Sequence, residues 1–106
     1  MKVLVCCEGG NVRSVTVGFL LKYKYGIDTI AVGLGGNSKE TINMLCEWAD
    51  NIMVVEKEMK QRVHEKYHNK LLVLDIGPDR WGMSLHPELL PICEQLLAQA
   101  ITIETK

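Results

Sequence analysis

The feature that most constrains this chain is its first strand-like run and the loop that follows it. The run from Lys2 to Cys6 is almost continuously apolar, which predicts a strand buried on both faces. Cys7 follows at once, and two glycines precede Arg13 and Ser14, where a helix-like segment begins. A buried strand, a tight loop and a helix in direct succession predict the opening unit of an α/β fold.

This loop has the composition of an oxyanion site. The amides of residues 8 to 13 can curl inward as a nest, and the helix N-terminus that follows adds partial positive charge. Arg13 can bind two phosphate oxygens at once. The same positive field favours the thiolate of Cys7, which is the nucleophilic form. The residues predicted to surround the anion are Glu8, Gly9, Gly10, Asn11 and Val12.

Length and charge exclude several other classes of protein. The chain has 106 residues and a formal net charge of −1. We therefore expect one domain over residues 1–106 and no nucleic-acid partner, since nucleic-acid binding needs a basic surface. No apolar run reaches transmembrane length, and the N-terminus turns polar too soon for a signal peptide. These observations predict a cytoplasmic protein without a membrane partner, in which thiols stay reduced.

The remaining cysteines and two histidines are predicted to have no catalytic role. The four cysteines lack the spacing of a metal site, and Cys6, Cys46 and Cys93 fall at positions typical of small buried hydrophobic residues. His64 and His68 stand four apart on a predicted helical surface, a spacing compatible with metal binding, but the sequence offers no third ligand. We therefore predict neither a metal nor a cofactor.

Strands and helices alternate along the chain. Predicted strands cover residues 2–6, 27–32, 51–55 and 70–76, and predicted helices begin at residue 14, near residue 38, at residue 57 (to 67) and near residue 87. This alternation predicts a three-layer α/β fold with a four-stranded parallel sheet in the order 2-1-3-4 and helices on both faces. The ligand crevice should lie at the carboxyl ends of the strands, beside the first strand. The loops after strands one, two and four converge there.

The loop after the fourth predicted strand offers two carboxyl groups as acids. Attack on a phosphate monoester needs a group that protonates the leaving oxygen and then activates water. A carboxyl beside a bound dianion is more readily kept protonated, and the candidates are Asp79, which we favour, and Asp75. The alternative roles are turn formation for Asp79 and hydrogen-bond acceptance at a strand end for Asp75.

Two motifs resemble a known family. The spacing Cys-x5-Arg-Ser over Cys7, Arg13 and Ser14 resembles the signature of cysteine-dependent protein tyrosine phosphatases, and its place directly after the first strand resembles the low-molecular-weight class. The run Pro78–Gly82 resembles the loop that carries the general acid of that class. The rest of the chain resembles, more weakly, a compact group of predicted tyrosine phosphatases.

The resemblance implies a role for each motif residue. Cys7 would be the nucleophile, Arg13 would hold the phosphate, and Ser14 would donate a hydrogen bond to the Cys7 thiolate. Asp79 would be the general acid and then the base, and Trp81 would form a wall of the substrate pocket. The implied fold is that of the low-molecular-weight phosphatases.

The chain also departs from the pattern it resembles. Val12 stands where family loops commonly carry a second cysteine, and Arg80 stands where the acid loop usually has proline. Asn11 lies one residue later than the usual loop asparagine. Glu8 adds a negative charge beside the anion site, which should disfavour phosphate unless its side chain points to solvent.

The sequence therefore predicts a cysteine-dependent phosphomonoester hydrolase that resembles protein tyrosine phosphatases and forms a phosphocysteine intermediate. Its predicted substrate is a phosphorylated protein or a small phosphomonoester. One alternative is a phosphocysteine carrier similar to the enzyme-IIB subunits of the sugar phosphotransferase system, and another is a phosphate-binding pseudophosphatase. Arsenate reduction ranks below these because it needs resolving cysteines near the site, and Cys46 and Cys93 lie at helical positions.

Overall fold

A four-stranded parallel sheet forms the centre of the protein. The computed structural model describes residues 1–104. The strands are β1 (Lys2–Cys7), β2 (Asp28–Gly33), β3 (Asn51–Val54) and β4 (Leu71–Val73). They pair in parallel in the order β2-β1-β3-β4, so the predicted α/β fold and strand order are confirmed.

Helices cover both faces of the sheet, as predicted. They are α1 (Arg13–Tyr25), α2 (Lys39–Trp48) and α3 (Leu89–Glu104). Helix α1 packs against β1, β2 and α3, and α2 packs against β1. Successive side chains of a strand point to opposite faces: Cys7 contacts Ser14 on α1, whereas Cys6 interacts with Cys46 on α2. No helix among residues 1–104 is long and apolar enough to cross a membrane.

The burial of β1 explains why its sequence is an almost unbroken apolar run. Each residue from Val3 to Cys7 is at most 2 % exposed, since helices cover this central strand on both sides. The cysteines predicted to be structural are buried and unpaired, and burial raises the pKa of Cys6 and of Cys93 to about 12. These two thiols are therefore poor nucleophiles at neutral pH.

The predicted helix over residues 57–67 is wrong. The segment forms two short 3₁₀ helices, Lys57–Arg62 and Glu65–Lys70, separated by extended backbone at Val63 and His64. The three apolar residues that suggested a helical stripe are buried and anchor this charged stretch: Met59, Val63 and Tyr67. His64 Nδ1 also accepts a hydrogen bond from the Lys66 N–H, and such local bonds compete with α-helical ones.

The two histidines consequently do not share a helical face. His68 Nε2 lies 2.9 Å from the carbonyl oxygens of Lys60 and Val63, and it therefore serves to hold the two 3₁₀ helices together. Within residues 1–104 no group of three or more His, Cys, Asp or Glu side chains is arranged to hold a metal ion.

The fourth strand is shorter than predicted. Regular pairing with β3 ends at Val73, three residues before the predicted end at Ile76. The Ile76 and Gly77 N–H groups then both donate to the Val55 carbonyl oxygen. This shared acceptor ends the ladder and directs the chain toward the end of β1.

Candidate active site

The loop after β1 curls around the sulfur of Cys7. The Gly10 N–H donates to Cys7 Sγ over 3.1 Å, and Ser14 Oγ lies 3.0 Å from the same sulfur. Cys7 and Ser14 are both buried. The predicted nucleophile is thus held by the loop backbone on one side and by a hydroxyl at the start of α1 on the other.

The N-terminus of α1 is uncapped by any side chain. Val12 occupies the N-cap position and provides no side-chain acceptor, and the first turn of the helix contains no acidic residue. The first N–H groups of a helix lack intrahelical acceptors, and here no side chain supplies one. They are available to an anion at the positive end of the helix dipole.

Arg13 lies at this helix start and is 3 % exposed. Its Nη1 donates to Glu56 Oε1 and, over 2.7 Å, to the Gly77 carbonyl oxygen. Its Nε is buried and has no hydrogen-bond partner among the described residues. A buried N–H without an acceptor is costly, and a phosphate oxygen would satisfy this one.

Sequence reasoning missed the role of Glu56. This residue lies two positions after the end of β3, at the same edge of the sheet as Cys7, and it provides the charge partner of the buried guanidinium. Hydrogen bonds with Glu58 and with Arg13 lower the pKa of Glu56 despite the opposing effect of burial. Its position, an acid just after a buried parallel strand, is the signal that could have identified it.

The glycines at the ends of β1 and β2 allow two loops to touch through their backbones. Gly10 has φ +74°, and a Cβ there would lie 2.4 Å from Gly33 N. A Cβ at Gly33 would lie 2.7 Å from the carbonyl carbon of Gly9. The contact continues as two hydrogen bonds, in which the N–H groups of Leu34 and Gly35 donate to the carbonyls of Cys7 and Glu8.

The Glu8 side chain is paired with a guanidinium at the surface. Both nitrogens at the end of Arg62 donate to it, with N–O distances of 2.6 and 3.1 Å. The hydrogen bond with Arg62 is the main cause that lowers the pKa of Glu8, and the charge of Arg13 acts in the same direction. Of the other loop residues, Asn11 is exposed and Val12 is buried.

The predicted acid loop is tied to Arg13 through its backbone. Gly77, whose carbonyl accepts from Arg13, begins the loop. Asp79 is exposed, and its Oδ1 accepts from the Trp81 N–H over 3.1 Å. Trp81 is largely buried, and the Arg80 guanidinium lies 4.9 Å from the centre of its ring.

The two candidate acids differ in their surroundings. Asp75 is exposed and forms a 3.7 Å ion pair with Lys57, whereas Asp79 lies in the turn beside Trp81. Among the described residues neither carboxyl has a hydrogen bond to Cys7 or Arg13. The structure thus brings Cys7, Arg13 and Ser14 together directly, and it connects Asp79 to them through the Gly77 backbone.

A separate open cleft of about 910 Å³ lies beside the site. Its walls include Leu34 after β2, Ile42 on α2, and Arg62 with Val63 from the 3₁₀ region. Cys7 and Arg13 do not line it, so the cleft is distinct from the loop of residues 8–13, which it borders at Leu34 and Arg62.

Comparison with known proteins identifies the fold. The structure is similar to the tyrosine phosphatase Wzb from Escherichia coli K30 in complex with phosphate, with 18% sequence identity, coverage of 92% of this chain and 94% of that one, and a TM-score of 0.71. It is also similar to a mutant of YwlE from Bacillus subtilis, with 19% sequence identity, coverage of 100% of this chain and 99% of that one, and a TM-score of 0.73. For the YwlE arginine phosphatase from Geobacillus stearothermophilus the sequence identity is 16%, the coverage is 97% of this chain and 94% of that one, and the TM-score is 0.64.

These similarities lie in structure and not in sequence. No protein-family model matches the chain, and no curated protein sequence matches it. The chain nevertheless has the α/β fold of the low-molecular-weight phosphatases over nearly its whole length, and the fold implied by the two motifs is confirmed.

Proposed function

We propose that this protein is a cysteine-dependent phosphomonoester hydrolase whose substrates are phosphorylated proteins or small phosphomonoesters. One observation carries the proposal: Cys7 Sγ is held by the Gly10 N–H and beside the Ser14 hydroxyl, at the same helix start as the buried Arg13. This arrangement places a nucleophile beside a group of N–H donors that suit an oxyanion.

Substrate binding uses the donors that lack partners. The unpaired Arg13 Nε and the uncapped N–H groups of α1 take the non-bridging oxygens of the phosphate. Glu56 and the Gly77 carbonyl fix the Arg13 guanidinium from the other side. Because these donors are held before the anion arrives, little reorganisation is needed on binding.

The chemistry then proceeds in two displacements. The Cys7 thiolate attacks phosphorus, the bond to the leaving oxygen breaks, and Asp79 gives that oxygen a proton. Water next attacks the phosphocysteine and gives its proton to Asp79, and the S–P bond breaks to release inorganic phosphate. The Ser14 hydroxyl stabilises the departing thiolate with a hydrogen bond.

Hydrolysis of p-nitrophenyl phosphate by matched thiol variants tests the proposal. Cys7→Ser should lower kcat by at least about 10⁴-fold, the size of effect seen when a nucleophile is removed. Cys46→Ala deletes a buried thiol on α2 and should retain turnover. Retained turnover in Cys7→Ser would refute the mechanism, and transfer to a protein acceptor without hydrolysis would favour the phosphocarrier alternative.

The substrate has two candidate classes: phosphotyrosine, which is a phosphomonoester, and phosphoarginine, whose phosphoryl group is on nitrogen and whose cleavage would extend the proposed activity to a P–N bond. The similar structures include tyrosine phosphatases and arginine phosphatases. Trp81 can pack against a phenyl ring, and the Arg80 guanidinium lies 4.9 Å from the centre of its ring, a cation–π contact that supports a guanidinium-bearing substrate as the second candidate. Phosphotyrosine and phosphoarginine peptides of the same sequence, compared by kcat/KM, distinguish the two.

A further inference from the structure

Glu8 presents an electrostatic problem for the proposed site. It directly follows Cys7 in the loop that would surround a dianion. A carboxylate there repels phosphate and opposes formation of the thiolate. Glu8 is ionised at neutral pH, because hydrogen bonding with Arg62 lowers its pKa. Something must offset it if the loop is to bind an anion.

Arg62 is placed to offset this charge. It ends the 3₁₀ helix Lys57–Arg62, which follows Glu56, so one connection after β3 supplies the partners of both Arg13 and Glu8. Arg62 binds the two oxygens of Glu8 through separate nitrogens, the geometry in which a guanidinium holds a carboxylate most specifically. The hydrogen bonds with Glu8, and then its charge, raise the pKa of Arg62.

The two ion pairs form one electrostatic network. Glu8 interacts with Arg13 as well as with Arg62, and Arg62 interacts with Glu56 as well as with Glu8. The two guanidinium groups and the two carboxylates of these two ion pairs sum to zero charge, and Glu58 joins the network through Glu56. Loss of Arg62 would leave the network with one uncompensated negative charge at the position next to the nucleophile.

We propose that Arg62 is a positioning residue that holds and neutralises Glu8, so that the loop of residues 7–13 can accept a dianionic phosphate. The inference rests on the proposed function and deepens it, because it names a residue outside the loop that controls anion affinity. Arg62 acts through Glu8 and does not touch the phosphate.

A purely structural role explains the pair less well. The Arg62 and Glu8 side chains are 40 % and 56 % exposed, and ion pairs this exposed add little to stability. Their electrostatic effect on a neighbouring dianion is larger, since the anion carries two charges and the loop is partly shielded from water. The pair therefore matters for binding more than for folding.

The test is the dissociation constant of inorganic phosphate, measured by calorimetry at a mildly alkaline pH where phosphate is a dianion. Arg62→Gln should weaken binding by about fivefold at low salt, and Arg62→Lys should restore part of the loss. Glu8→Gln should bind at least as tightly as the wild type. The double variant Glu8→Gln/Arg62→Gln should return to within about twofold of the wild type, because both charges are gone.

Lys60→Gln is the matched control. It removes an exposed positive charge from the same 3₁₀ helix without removing the partner of Glu8. Phosphate affinity should stay within about twofold of the wild type. The defect of Arg62→Gln should shrink at about 0.5 M salt, since exposed charges are screened there.

Two outcomes would contradict the role of Arg62 without contradicting the proposed function. Unchanged phosphate affinity in Arg62→Gln would show that Glu8 needs no compensation, and a double variant as weak as Arg62→Gln would show that Arg62 acts by structure and not by charge. Phosphate binding does not require turnover, so a wild type that binds phosphate without hydrolysing esters would defeat the proposed function and leave this test intact. A wild type that binds no phosphate would defeat both.

Discussion

At the scale of single residues, Arg13 is the group on which the proposed anion binding depends. Its guanidinium is buried, charged and fixed by Glu56 and the Gly77 carbonyl, while its Nε has no partner among the described residues. A buried charge is costly unless its donors are satisfied. The arrangement is explained if a bound anion supplies the missing acceptor for Arg13 Nε. Glu56 then balances the charge of the Arg13 guanidinium while the site is empty.

The charge of Glu56 should therefore contribute to stability as well as to binding. Glu56→Gln keeps the shape of the side chain and removes the charge that pairs with Arg13, so we expect the free energy of unfolding to fall by about 2 kcal/mol at neutral pH. Because folding lowers the pKa of Glu56, this contribution is fully present above the ordinary value of 4.5 and is lost as the pH falls through the lowered value.

Urea unfolding at pH 7 and at about pH 3 measures this difference. The gap between the wild type and Glu56→Gln should be larger at the higher pH than at the lower one. Glu65→Gln, which removes an exposed acid from the second 3₁₀ helix, serves as the control and should change stability little. A gap of equal size at both pH values would show that the charge of Glu56 is not the cause.

Substrates with different leaving groups can show which carboxyl, Asp79 or Asp75, is the general acid. If Asp79 is the general acid, Asp79→Asn should lower kcat by about 10²-fold or more for phenyl phosphate. The loss should be smaller for p-nitrophenyl phosphate, whose leaving oxygen needs less protonation. Asp75→Asn, the matched exposed carboxylate, should have a much smaller effect. The reverse ranking would assign the acid to Asp75.

At the scale of elements, the site depends on close contact between the loop that follows β1 and the loop that follows β2. Gly33 lies against the Gly9 backbone, and two inter-loop hydrogen bonds continue from this contact. The glycine-rich run after β2 therefore supports the anion loop and has a structural function. No side chain larger than hydrogen fits at Gly33 without displacing backbone.

A pair of glycine variants tests this contact. Gly33→Ala places a Cβ 2.7 Å from the carbonyl carbon of Gly9, so it should cost about 2 kcal/mol of stability and weaken phosphate binding by about tenfold. A Cβ at Gly36 would meet nothing within 4 Å, so Gly36→Ala should be neutral or slightly stabilising. Thermal unfolding and phosphate titration measure both effects. Equal behaviour of the two variants would contradict the account.

The elements also show why sequence reasoning succeeded in some places and failed in others. The strands were predictable because each is a short apolar run, and their parallel pairing follows from the alternation with helices. The segment after β3 was misread because three buried residues at helical spacing suggested one helix. Extended backbone at Val63 and His64 instead divides it into two 3₁₀ helices.

At the scale of the whole molecule, the four strands deliver the parts of the site to one edge of the sheet. Cys7 ends β1, the glycine-rich loop follows β2, Glu56 follows β3, and Gly77 follows the irregular end of β4. Such convergence is the property of parallel α/β sheets that places ligands at the carboxyl ends of strands. The location of the site was therefore predictable before any side-chain contact was known.

The partners within the site were not predictable in the same way. Glu56 lies 43 positions from Arg13, and Arg62 lies 54 positions from Glu8, so no local pattern connects them. The motif Cys-x5-Arg-Ser is local, and the structure places Cys7 beside Ser14 at the start of α1, where Arg13 also lies. The roles of Asp79 and Trp81 stay predictions, because Asp79 has no hydrogen bond to Cys7 or Arg13.

The most direct test of the account is to trap the covalent intermediate. The protein is mixed with p-nitrophenyl phosphate, quenched rapidly in denaturant and analysed by peptide mass spectrometry, with Asp79→Asn used to slow the second step. We predict one phosphoryl group on Cys7 and none on Cys6, Cys46 or Cys93. Turnover without phosphorylated Cys7, or a phosphoryl group on any other residue, would contradict the central claim.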